Sequence, residues 1–272
     1  MTPLGIIAGG GPLPGQVAQA ARASGRDVFI AGIEGFAELG VLAPFPHRLF
    51  RFGAVGAMIR AFRDEGCREL VMIGPVKRPS FFSLRPEDAE GAKILARIGK
   101  AAFLGDDGLL AAVLRVLTEE GFTMLGAHEV LTEALAPGGL LTKTAPDAQA
   151  MADIERGMVV LKAIGVADIG QACVVQQGIV LAVEAVEGTD AMLARILAVT
   201  RPGPGGVLVK LAKPGQERRA DLPTLGTATI NHALAAGLRG IAFEAGGSLL
   251  TNKSLMIELA DAGGIFLLGV HP

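Results

Sequence analysis

Residues 4–25 read LGIIAGGGPLPGQVAQAARASG, and the fold follows from how this stretch is parsed. Residues 4–8 are a short apolar run, as a strand buried on both faces requires. Three glycines and two prolines follow, Gly9–Gly11 with Pro12 and Pro14. From residue 13 to residue 24 apolar side chains recur at helical spacing, and Gly25 supplies a helix stop. Strand, glycine turn and helix in this order open a βαβ unit. The pattern repeats outward, with strands expected at 27–31, 49–52, 69–73 and 122–125 and helices at 54–65, 86–100 and 107–120. Parallel strands need crossover helices, and right-handed crossovers wind them into an open layered sheet.

The turn itself has two readings. A dinucleotide-binding turn is G-x-G-x-x-G with an acid about 20 residues later. Gly9 and Gly11 fit the first two glycines, and Glu34 stands near the acid's place. The third glycine position holds Pro14, with Gly15 one residue late. A glycine turn before a helix can also bring free N–H groups to an anion without being a dinucleotide site. It can equally be a tight turn with no ligand.

The rhythm changes near residue 134. Residues 134–146, ALAPGGLLTKTAP, carry two prolines and two glycines and read as a linker. We therefore expect a parallel-sheet α/β domain over 1–133 and a C-terminal α/β domain with a mixed sheet over 134–272. In the second part a helix is expected at 148–164. QACVVQQGIVLAVEAVEG then gives two antiparallel strands turning at Gln177–Gly178. A helix at 190–199, strand VLVKLA, a helix at 225–236, strand GIAFEA, a helix at 253–262 and strand IFLLGV complete the pattern.

Composition narrows the function classes. Of 272 residues, 50% are hydrophobic and mean hydropathy is +0.47, enough for a large core and far from a disordered chain. No run approaches the roughly 18 uncharged apolar residues of a spanning helix. A formal charge of −2 argues against bulk nucleic-acid binding, which needs a basic face. The 2 cysteines cannot build a disulfide framework or a four-ligand zinc site. No secretory signal pattern opens the chain, and the expected setting is the cytoplasm. So apolar a composition also leads us to expect a homodimer.

Chemistry-bearing residues cluster in a few places. KLAKPGQERRADLPT, residues 210–224, gathers Lys210, Lys213, Arg218 and Arg219 ahead of Asp221, where a helix is expected to start. Cations collect on phosphate, and a carboxylate beside them holds a metal or orients water; a solvated basic loop would look the same. VEAVEGTDAM places Glu184, Glu187 and Asp190 at a strand-to-helix joint. Such oxygen ligands suit Mg²⁺, or they are helix-start acids with Thr189 or Asp190 as the cap. LGDDGLL, with Asp106 and Asp107, has the same double reading. GAHEV, with His128 and Glu129, lacks the second histidine of a zinc-protease helix. GPVKRP puts Lys77 and Arg78 at the carboxyl end of a parallel strand, where ligands of open α/β sheets bind.

Together these stretches resemble one family, the UDP-2,3-diacylglucosamine pyrophosphatases of the LpxI type, from lipid A biosynthesis. LGIIAGGGPLP, GDD, GAHEV, MADIERG, DIGQACVV, VLAVEAVEGTDAML, KPGQERRADLPTLG and GIFLLGVHP carry the resemblance over nearly the whole chain. It implies a Rossmann-like N-terminal parallel-sheet domain over 1–133, a catalytic C-terminal α/β domain over 134–272, and Mg²⁺-dependent hydrolysis of UDP-2,3-diacylglucosamine to UMP and 2,3-diacylglucosamine 1-phosphate, lipid X, by water attack on the α-phosphorus. Carried over by position, Asp221 is the catalytic candidate, and Asp190, Glu187 and Asp106 are the metal candidates. The candidate substrate contacts are Gly10, Gly11, Pro12, Lys77, Arg78, Lys143, Thr144, Lys210 and Lys213, together with Phe81 and Phe82, of which at least one is expected to face the acyl chains. Transient contact with the inner-membrane surface is expected, and nucleic acid is not. A nicotinamide-dependent oxidoreductase and a non-catalytic nucleotide- or lipid-binding protein are the competing readings.

Overall fold

The structure is a computed structural model that describes residues 1–77, 89–99 and 106–272, without the side chains of 89–90 and 106–107. Arg78, Phe81, Phe82 and the Asp106 carboxylate therefore lie outside the described residues. The chain divides into two compact units. One is Met1–Thr132 with Glu217–Asp221, and the other is Glu133–Gln216 with Leu222–Pro272.

In the first unit, β1 (Leu4–Ala8), β2 (Val28–Ile33), β3 (His47–Phe50), β4 (Glu69–Ile73) and β5 (Thr123–Leu125) form a sheet of order β3-β2-β1-β4-β5. All its pairings are parallel, as the alternating pattern predicts. Helix α1 (Leu13–Ala23) follows the glycine turn, the four-residue α2 (Leu39–Leu42) follows β2, and α3 (Val55–Asp64), α4 (Ala89–Gly99) and α5 (Asp106–Glu119) are the longer helices that follow. Phe62 packs edge-on against Phe29 at 5.8 Å and Phe122 at 6.2 Å, so rings from β2, α3 and the turn before β5 fill one core. A last short helix, α6 (Ala127–Val130), follows β5.

The second unit has a six-stranded mixed sheet. Its strands are β6 (Gly139–Leu140), β7 (Ala172–Gln176), β8 (Ile179–Val183), β9 (Val207–Lys210), β11 (Gly240–Glu244) and β13 (Phe266–Val270). Their order is β6-β13-β11-β9-β7-β8. The central β9, β11 and β13 are parallel, whereas β6, β7 and β8 join antiparallel. Two-residue strands β10 (Thr224–Leu225) and β12 (Leu249–Leu250) pair separately. Helix α7 (Ala148–Val166) covers one face through Ala150, Ile154 and Leu161. α8 (Gly188–Ala194), α9 (Thr227–Ala235) and α10 (Lys253–Ala262) cover the other.

Two local expectations are corrected. The 134–146 segment is not a bare linker, because β6 lies in it and pairs with β13, and Leu141 N–H donates to Leu267 O at 2.9 Å. No helix begins directly after Asp221: β10 intervenes and α9 starts at Thr227. The prolines and glycines that suggest loops here bound strands too short to show any periodicity.

Candidate active site

At the carboxyl edge of the N-terminal sheet, the neighbouring parallel strands β1 and β4 both end in glycine turns that touch each other. Gly9 N–H donates to Ile73 O and Gly10 N–H to Pro75 O, both at 2.9 Å. A Cβ on Gly9 would lie 2.3 Å from Gly74 O, so only glycine permits this close approach. Gly11 adopts φ 74°, and its N–H donates to Glu38 Oε1 at 3.0 Å. Pro12 and Pro14 have no N–H to offer. The turn sits where a dinucleotide turn would, yet Gly10 and Gly11 have spent their amides and the prolines supply none. Lys77 is exposed at the same edge.

In the loop after β9, Lys213 pairs with the Asp168 carboxylate, and its N–H donates to Gln216 Oε1 at 2.8 Å. Arg219 forks onto Glu217, with Nε and Nη2 at 2.8 and 2.7 Å. That fork, first of all, holds the Glu217 carboxyl below its usual range. Ala220 and Asp221 N–H groups both donate to Glu217 O at 3.0 Å, which fixes the backbone turn presenting the half-buried Asp221. Ala220 packs on the core of the N-terminal unit.

Lys210 ends β9 and is buried, with 7% exposure. Its ammonium donates to Thr189 Oγ1 at 2.8 Å. The Thr189 hydroxyl donates to Glu184 Oε1 at 2.7 Å. The EGTD motif thus turns its threonine inward and its acids outward. Glu187 accepts from Arg195 Nη2 at 2.8 Å; its carboxyl is held low by its own backbone N–H first and by Arg195 next. Asp190 meets His232 Nδ1 at 3.0 Å. Among the described residues no three His, Cys, Asp or Glu side chains assemble as a metal group. Burial pushes the Cys173 thiol up to about 12 and the Cys67 thiol up to about 11, so neither is a nucleophile near neutral pH.

Family models described as LpxI N-terminal domain and LpxI C-terminal domain match residues 3–134 and 137–268. The chain belongs to the LpxI family. It is 45% identical over 278 positions to the UDP-2,3-diacylglucosamine pyrophosphatase LpxI of Caulobacter vibrioides, covering 100% of this chain and 99% of that one. Two structures of the Bordetella bronchiseptica enzyme WbmG, with NAD and UDP and with NAD, align at TM-score 0.36 and 13% identity. They cover 100% of this chain and 81% of theirs, a likeness too loose to carry an argument.

Within the LpxI fold, Lys143 and Thr144 stand away from Lys210. Lys143 N–H donates to Asp261 Oδ1 at 2.7 Å, and Leu267 N–H to Thr142 Oγ1 at 3.0 Å. Both contacts lie by the amino end of β13, at the sheet edge opposite Lys210. The MADIERG motif of this LpxI chain is structural. Asp153, 1% exposed, accepts N–H groups of Gln177 at 3.0 Å and Gly178 at 2.6 Å. These two residues are the left-handed corner between β7 and β8, at φ 53° and 77°.

Proposed function

We propose that this chain hydrolyses the diphosphate of UDP-2,3-diacylglucosamine, releasing UMP and 2,3-diacylglucosamine 1-phosphate. The observation that carries this reading is its match to both LpxI domains, with 45% identity to a pyrophosphatase of that name along the full length. The residues suit the chemistry. Phosphoryl transfer asks for charge neutralisation and positioning rather than a covalent partner, and both thiols are buried and inert.

In the proposed reaction, water oxygen bonds to the α-phosphorus and the bridge from that phosphorus to the β-phosphate oxygen breaks. UMP keeps the new oxygen, and the acylated sugar leaves with the β-phosphate. Asp221 orients the water and accepts its proton. Lys210 faces the phosphoryl oxygens as negative charge builds. Phe81 and Phe82 are proposed to meet the acyl chains, with Lys77 and Arg78 as further polar contacts. A homodimer, a cytoplasmic setting and brief contact with the inner-membrane surface complete the proposal.

Mg²⁺ belongs to it as well, but Glu187 and Asp190 do not fit as its ligands, since each already faces a basic side chain. Mg²⁺ commonly keeps several waters and binds through phosphates and one or two carboxylates. No step above is routed through it.

Incubation with UDP-2,3-diacylglucosamine, with EDTA or with added Mg²⁺, and product identification by mass test the reading. UMP and lipid X are expected only with Mg²⁺. The variants Glu187→Gln and Asp190→Asn should keep the same Mg²⁺ requirement. Absence of both products would overturn the assignment. Hydrolysis in ¹⁸O water places the label on UMP if the α-phosphorus is attacked, and on lipid X if it is not.

A further inference from the structure

The strand alternation in β9 places Leu208 in the apolar layer under α8 and α9, and Val207 and Val209 in the layer under α7. Lys210 continues the alternation on the Leu208 side. On β8, Ala182 belongs to that same layer, and Glu184 emerges two residues later at the same sheet edge. The first turn of α8 supplies Thr189 between them. All three side chains are more than nine-tenths buried.

Their hydrogen bonds have a fixed direction. An ammonium can only donate and an ionised carboxylate can only accept. The single Thr189 proton must therefore go to Glu184, at 2.7 Å, while the hydroxyl oxygen accepts from Lys210, at 2.8 Å. Glu184 is itself anchored, since its Oε2 accepts Gln171 N–H at 3.1 Å. The arrangement holds the tip of a long side chain that otherwise samples many rotamers.

We propose that Thr189 and Glu184 are positioning residues that hold the Lys210 ammonium as a fixed cation for the substrate diphosphate. This rests on the diphosphatase reading and assigns the EGTD motif a different task within it: its threonine orders a lysine. A cation fixed before the substrate arrives needs no reorganisation as charge develops. The benefit should appear in kcat more than in KM, because a loosened lysine still attracts the ground-state diphosphate.

Steady-state hydrolysis and thermal melting of the wild type, Thr189→Val, Thr189→Ser, Lys210→Met and the Thr189→Val/Lys210→Met double variant test this. Absence of wild-type turnover overturns the diphosphatase reading and this proposal with it. Given turnover, Thr189→Val should lose about tenfold or more in kcat with a smaller change in KM. Thr189→Ser should recover most of the loss, and the double variant should be no worse than Lys210→Met. A Thr189→Val enzyme with wild-type kcat, or losses that multiply in the double variant, overturns the positioning role and leaves the diphosphatase reading standing. If Thr189→Val does not fold, Glu184→Gln carries the same test: a loss that disappears in the Lys210→Met background supports the proposal, and an unchanged kcat overturns it.

Discussion

The Glu38 carboxylate accepts the Gly11 N–H at 3.0 Å, so a protein side chain holds the amide that a dinucleotide turn would offer to phosphate. With Gly10 N–H bound to Pro75 O and prolines at 12 and 14, the start of α1 is a poor anion cradle. The turn can still meet neutral polar groups of the substrate.

Glu38→Gln tests that division of labour. It removes a negative charge while keeping an oxygen for Gly11. If the diphosphate lies elsewhere, the affinity for UDP measured by calorimetry should stay within about twofold, since a distant exposed charge is screened by salt. Tightening by tenfold would place the phosphates on the turn after all. NAD should give no binding heat with either protein.

Arg97 and Arg63 both reach Glu120, at 2.6 and 2.9 Å, and tie α4 and α3 to the end of α5. Chiefly through Arg97, they hold the Glu120 carboxyl below its usual range. A depressed folded pKa stabilises fully above the unfolded carboxylate value and loses that stabilisation as pH falls through the folded value. The melting temperature of the wild type should therefore exceed that of Glu120→Gln at pH 7, with the gap closing as pH falls below about 4. A gap that does not vary with pH would mean packing, not charge, is responsible.

Asp153 should be a stability residue. Its removal strands the Gln177 and Gly178 N–H groups at a left-handed corner. Asp153→Ala should cost about 3 kcal/mol, a fall of roughly 6–12 °C in melting temperature for a chain of this size. The activity of the folded fraction should persist. An unaltered melting temperature with lost activity would make Asp153 part of the chemistry.

Much of this was legible in residues 4–25, where an apolar run, glycines and a periodic helix each carry a local signal. The parallel N-terminal sheet and the β7–β8 hairpin at Gln177–Gly178 follow from patterns of the same kind. What the sequence hides depends on long-range contact. β6, β10 and β12 are two residues each, too short for a period of two to register. The Gly11–Glu38 bond spans 27 residues. In EGTD the acids draw the eye as ligands, while the inward Thr189 resembles an ordinary cap; only the backbone path of α8 distinguishes them. The four cations of residues 210–219 read as one cluster, yet Lys213 and Arg219 are tied to Asp168 and Glu217.

Asp221 carries the strongest prediction. Asp221 does not cap a helix, because β10 and not a helix follows it. Its half-buried carboxylate stands on a turn closed by two N–H bonds to Glu217 O. That turn uses backbone atoms alone, so trimming the Asp221 side chain leaves those two bonds in place. If the Asp221 carboxylate serves the reaction and not the fold, Asp221→Ala should melt within a few degrees of the wild type. If the carboxylate orients the attacking water and takes its proton, kcat should fall by roughly 10²–10⁴, with KM changing far less. Asp221→Asn, similar in shape but unable to accept the proton, should lose nearly as much. The pairing of the two variants is decisive. An asparagine variant that keeps most of the wild-type kcat would reduce Asp221 to a hydrogen-bonding strut. A large drop in melting temperature in both would make it part of the scaffold.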